Sequence, residues 1–274
     1  MGCFVFAFAN QKGGVGKTTS CVNLAASLSL TNNKVLLCDL DPQGNATMSS
    51  GVDKTAVQYS MNDWLQGDCD TESVLIEQTP AGYDLIPSNC DLTASEANLI
   101  KKQSQQFTLS KKLENLRKKY DFIFLDCPPS LNMLTVNALV AADKVVIAMQ
   151  CEYFALEGLT DLISTINQLQ GSLNKNLQVG GIIRTMYDSR NRLAVEVSSQ
   201  LIDHFGNQVF QTVIPRNVRL AEAPSYGLPV CLYDKSSRGA SSYFALAGEF
   251  ARKFKNIKAP AKAVSKQKER AVES

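Results

Sequence analysis

Residues 10–19 read NQKGGVGKTT and follow directly on the apolar run CFVFAFA. Gly13, Gly14 and Gly16 surround Val15 and lead into Lys17, Thr18 and Thr19. Glycine lets the backbone come close to an anion, and successive N–H groups in such a turn point at phosphate oxygens. A helix starting near Lys17 adds the positive end of its dipole. Strand, glycine-rich turn and helix in that order are the context of a phosphate-binding loop, G-x-x-x-x-G-K-[ST]. Lys17 is expected on the β- and γ-phosphates, the Thr18 hydroxyl on Mg²⁺, and Thr19 at the α-phosphate. The pattern departs from the standard at its start. Gln11 stands where the first glycine belongs, and a second lysine, Lys12, comes next.

Three aspartates support this chemistry. LCDLDPQGN carries Asp39 and Asp41, and FIFLDCPPS carries Asp126, each after an apolar run. Ligands of open α/β sheets bind beyond the carboxyl ends of strands. Asp126 is the natural second partner of the magnesium ion. Asp41 and Asp39 are candidates to position an attacking water. A lone aspartate after a strand is more often a helix cap; three beside one phosphate loop point to function.

These residues need a scaffold, and the chain supplies one. Apolar runs at 3–9, 34–40, 121–127, 144–150, 179–186 and 209–215 read as strands. They are apolar nearly throughout, as strands buried on both faces are. Helical stretches at about 17–30, 107–119, 131–141, 155–170, 192–204 and 240–254 lie between them. The expected fold is α/β: a doubly wound, mostly parallel sheet with helices on both faces. Residues 1–255 form the nucleotide-binding domain. From Asn256 to Ser274 the chain is lysine-rich and short of large apolar residues, and is expected to be a disordered basic tail.

The 274 residues carry a net charge of only +2, which excludes a wholesale nucleic-acid coat but permits a local basic patch. No apolar run reaches the roughly 18 residues of a membrane helix, and a soluble cytoplasmic protein is expected. Eight scattered cysteines form no C-x-x-C pair and have one histidine, His204, beside them. Reduced thiols are expected rather than a disulfide framework or zinc site.

Four segments, KGGVGKTT, DLDPQGNAT, DFIFLDCPPSL and IPRNVRLAEAPSYGLPV, together resemble the ParA-type partition ATPases, most closely the Soj-like chromosomal members. The motifs run in order across about 250 residues. The resemblance implies a deviant Walker A loop whose extra lysine, Lys12, reaches the phosphates of the partner's nucleotide in an ATP-bound homodimer. A second cation on developing phosphate charge is the arginine-finger device. From the residues alone, Lys12 could equally act in cis or be solvated. The resemblance also implies that Asp41 positions water, that Asp126 opens the second switch, and that Pro215, Arg216 and Asn217 pack on the adenine. It further implies non-specific binding of double-stranded DNA through Arg190 and Arg219, with Arg192 and Arg216 nearby, and association with the nucleoid. Four such arginines per dimer give a log–log salt slope of roughly −4. A ParB-type centromere-binding partner is expected to stimulate slow hydrolysis. Three alternatives share parts of the pattern. A MinD-like membrane ATPase needs an amphipathic C-terminal helix, an iron–sulfur carrier needs bridging cysteines such as Cys127, and a regulatory module would hold ATP and hydrolyse little.

Overall fold

The computed structural model describes residues 2–95 and 105–255. Along β1 (Phe4–Phe8), Phe4, Phe6 and Phe8 face one side of a sheet and Val5 and Ala7 the other, and both sides are buried. The same division holds on β2 (Val35–Asp39) and β4 (Phe122–Asp126). It explains why these strands read as continuous apolar runs. With β3 (Asp84–Ile86), β5 (Lys144–Gln150) and β6 (Gln178–Thr185) they form one sheet in the order β3-β2-β4-β1-β5-β6. Every pairing between these strands is parallel.

Helix α1 (Lys17–Ser29) follows β1. The short helices α2 (Asn45–Ser49), α3 (Met61–Gln66) and α4 (Thr71–Val74) lie between β2 and β3. Then come α5 (Thr108–Leu113), α6 (Met133–Ala141), α7 (Ala155–Ser172) and α8 (Arg192–Phe205). The chain continues through α9 (Val218–Glu222) and α10 (Val230–Tyr233) to α11 (Arg238–Phe254). Helices α3 and α5–α8 cover one face of the sheet; α1, α10 and α11 cover the other. The doubly wound α/β architecture is therefore present.

On the second face Phe250 of α11 meets Phe6 at 4.6 Å, Phe254 at 4.7 Å, Phe122 at 5.6 Å and Phe124 at 5.7 Å between ring centroids. It is fully buried. Truncating such a ring removes its transfer energy and leaves a cavity. Phe250→Ala is expected to cost roughly 3–5 kcal/mol in urea unfolding; a loss under about 1 kcal/mol would contradict this packing.

Two expectations need correction. Residues 209–215 are not a strand of the sheet. They form only isolated parallel bridges, Ile182 of β6 to Val209 and Tyr187, just past β6, to Pro215, with backbone bonds from Phe210 N to Ile182 O and Ile214 N to Arg184 O. Between these bridges the backbone turns to side chains: Glu249 accepts the N–H groups of Gln211 and Thr212, and Arg184 donates to the carbonyls of Phe210 and Gln211. The helix expected over 107–119 is α5 followed by a 3-10 turn at Leu116–Lys118. Strand β3, three residues at the sheet's edge, was not expected at all. The basic tail lies outside the described residues.

Candidate nucleotide-binding site

A cavity of about 510 Å³ opens at the carboxyl ends of β1, β2, β4 and β6. Its floor is the glycine-rich loop. Gly14 and Gly16 adopt left-handed backbone angles, φ 74° and 82°, a region that side chains rarely tolerate. Gly16 is also the N-cap of α1 and offers no side-chain cap, so the helix's first N–H groups remain available to an anion. A hydrogen bond from Thr185 Oγ1 to the carbonyl of Val15, at 2.6 Å, ties the loop to the end of β6. The Val15 side chain itself is buried.

Lys12, Gly13, Gly14, Gly16, Lys17, Thr18 and Thr19 all line the cavity, and Asp41 joins them. So do Pro215, Arg216 and Asn217 from the opposite wall. Sequence reasoning missed Gln43, Asn45, Thr185, Met186 and Tyr243, which line it too. Thr185 and Met186 had one readable signal, their place at the carboxyl end of the apolar run 179–186. Tyr243 comes from α11, far along the chain, and had none.

Asp126 does not reach the cavity surface. It is fully buried, and neither carboxylate oxygen has a hydrogen-bond donor among the described residues. Lys17 Nζ lies 3.9 Å from its Oδ1. The Thr18 hydroxyl lies close enough to help stabilise the carboxylate. Burial pushes the Asp126 carboxyl up against the pull of Lys17 and Thr18. Burial presses the Lys17 ammonium down more than any single neighbour lifts it, but Asp126, with Cys127, Asp41 and Cys21, together outweigh it and the net shift is upward. A buried carboxylate with uncommitted oxygens beside a threonine hydroxyl is the oxygen donor set that a magnesium ion takes.

Asp39 has a different task. It pairs with Asp126 across the β2–β4 register and does not line the cavity. Its carboxylate accepts from Thr47 N at 2.8 Å, Thr47 Oγ1 at 2.7 Å and Asp41 N at 3.1 Å. Burial and the nearby Asp126 raise its carboxyl, against those hydrogen bonds. It fixes the turn that carries Asp41. Within that turn Asp41 Oδ1 accepts from Gln43 N at 2.9 Å. Gly44 sits at φ 60° with the Ser88 carbonyl 2.7 Å from where a Cβ would be, so only glycine fits.

Lys12 pairs with Glu152 of its own chain at 2.6 Å, both about half exposed. Arg190 is almost fully exposed and paired with Asp188 at 2.8 Å. Arg219 meets Glu222 at 2.7 Å and Asp234 at 3.2 Å. Cys127 is buried in the core. No helix of the described residues is long and apolar enough to cross a membrane.

The family model described as an AAA domain matches residues 4–179. The chromosome-partitioning ATPase Soj of Treponema pallidum is 49% identical over 88% of this chain and 94% of its own length. The chromosome partitioning protein ParA of Caulobacter vibrioides is 45% identical over 89% of this chain and 92% of its own. Among solved structures, a protein named cobyrinic acid a,c-diamide synthase from Mycobacterium smegmatis, with bound ATP analogue and magnesium, superposes with a TM-score of 0.81. It is 34% identical over 94% of this chain and 98% of that one.

Proposed function

The chain belongs to the ParA/Soj family of chromosome-partitioning ATPases, and from that premise we propose a nucleotide-switched DNA-binding cycle. The observation that carries the nucleotide half is the cavity that joins the lysine- and glycine-rich loop to Asp41, beside a buried Asp126 whose oxygens are uncommitted. Lys17 and the loop N–H groups hold the β- and γ-phosphates. Thr18 and Asp126 would hold Mg²⁺, which would supply positive charge against the triphosphate. Thr19 meets the α-phosphate, and Pro215, Arg216 and Asn217 pack on the adenine. Asp41 orients the water that attacks the γ-phosphorus. Lys12 leaves Glu152 and reaches the partner's phosphates, so the site is complete only in a homodimer and ATP favours assembly by mass action.

The DNA half assigns Arg190 and Arg219 to phosphate contacts, which position a protein without reading sequence. Slow hydrolysis, stimulated by a ParB-type partner, releases the DNA. The protein is assigned to the cytoplasm, on the nucleoid. Retention on DNA with no nucleotide, ADP and ATP, across a salt series, tests this directly. Binding confined to the ATP state and falling with salt supports it. No binding in any state, with ATP-dependent dimerisation intact, turns the reading towards membrane or protein positioning. Arg219→Glu is expected to abolish ATP-dependent DNA retention and leave nucleotide affinity unchanged; normal retention would remove Arg219 from the interface.

A further inference from the structure

The segment leading to the proposed adenine contacts is held by two charged side chains rather than by a strand ladder. Arg184, on β6, is 6% exposed. Its guanidinium donates to Phe210 O at 2.8 Å, Gln211 O at 2.9 Å and Ser198 Oγ of α8 at 2.7 Å. Its Nε has no partner, and no carboxylate lies within ion-pairing distance of it, among the described residues. A buried cation held only by neutral acceptors is costly, and fixing the backbone of 210–211 is what this one does. From the other side Glu249 of α11 accepts Gln211 N at 2.7 Å and Thr212 N at 3.0 Å. Beyond this clamp Ile214 N bonds Arg184 O, Tyr187 N bonds Ile214 O, and the cavity wall begins at Ile214 and Pro215. The residue after Arg184 is Thr185, whose hydroxyl holds the phosphate loop at Val15. Base wall and phosphate floor are thus both referenced to the end of β6.

We propose that Arg184 and Glu249 are positioning residues for base recognition: they set the distance of Pro215–Asn217 from the phosphate loop. The inference rests on the assignment of that wall to adenine. The geometry separates base from phosphate, because Lys17 and the glycines are held by β1, α1 and Thr185 and not by the clamp. A ligand without a base is therefore blind to it.

The test is calorimetric binding of MgATP and of magnesium tripolyphosphate to wild type, Arg184→Met and Glu249→Ala. Each variant should bind ATP about tenfold more weakly, a change of about one decade in Kd, with tripolyphosphate affinity unchanged. Equal losses for both ligands mean a general structural role and overturn the proposal, as does an unaltered ATP-to-tripolyphosphate ratio. Should Arg184→Met fail to fold, Glu249→Ala, at a half-buried side chain, gives the same readout. Wild type that binds both ligands equally would instead defeat the adenine assignment itself, which separates the two failures.

Discussion

Replacing Asp41 by alanine is expected to stop phosphate release while MgATP-dependent self-association persists. The carboxylate lines the cavity, and its Oδ1 is fixed by the N–H of Gln43. The backbone around it is fixed as well: Ser88 Oγ donates to the Asp41 carbonyl at 2.8 Å, and Asp39 anchors Thr47 and the Asp41 N–H. Removing one oriented carboxylate therefore leaves the turn standing. Positioned acid–base groups contribute about 10²–10⁴-fold to rate, and a loss of that size in turnover is expected. Size-exclusion chromatography with ATP reads the other half. A variant that still turns over within a fewfold of wild type would strip Asp41 of its role. A variant that cannot self-associate would show the aspartate to be part of assembly.

Lys12→Ala carries the second large effect, a fall in turnover of about 10³-fold or more, the range of a charge supplied to phosphoryl transfer from a partner. ATP-dependent dimerisation should fall with it. Lys12 is half exposed and held only by Glu152, so the substitution costs the monomer little. Mixing variants separates trans from cis action. In a heterodimer of Lys12→Ala with Asp41→Ala, the first chain keeps its own Asp41 and receives the second chain's Lys12, so one site of two is complete. At protein concentrations high enough to drive every pairing, so that chains pair at random, about a quarter of wild-type turnover should return. A lysine acting in cis gives no recovery, because neither chain then has a complete site.

Most of the site was legible because its residues sit in contiguous motifs at strand ends. The phosphate loop, Asp41 and Asp126 all follow buried strands, and a buried parallel strand announces itself as an unbroken apolar run. The same rule misled at 209–215. That run is apolar enough for a strand, but its middle hydrogen bonds go to Arg184 and Glu249, whose partners lie 26 and 38 residues away in the chain. Nothing local encodes them. Strand β3 escaped for the opposite reason: three residues are too short for a pattern. Asp39 and Asp41 share one motif, and only the contacts of Thr47 separate the anchor from the residue that faces the cavity.

Arg190 and Arg219 each already hold a counter-charge that cannot diffuse away. A duplex approaching them does not meet bare cations. It competes with Asp188, Glu222 and Asp234 in an ion exchange. Each guanidinium that turned to a phosphate would free a carboxylate, and that negative charge, left near the duplex, would cancel part of the phosphate neutralisation. The exchange therefore releases fewer small ions than four bare arginines would, and the salt slope is shallower than roughly −4. On the proposed DNA-binding reading, the hold on a duplex would then vary less steeply with ionic strength than bare arginines would make it.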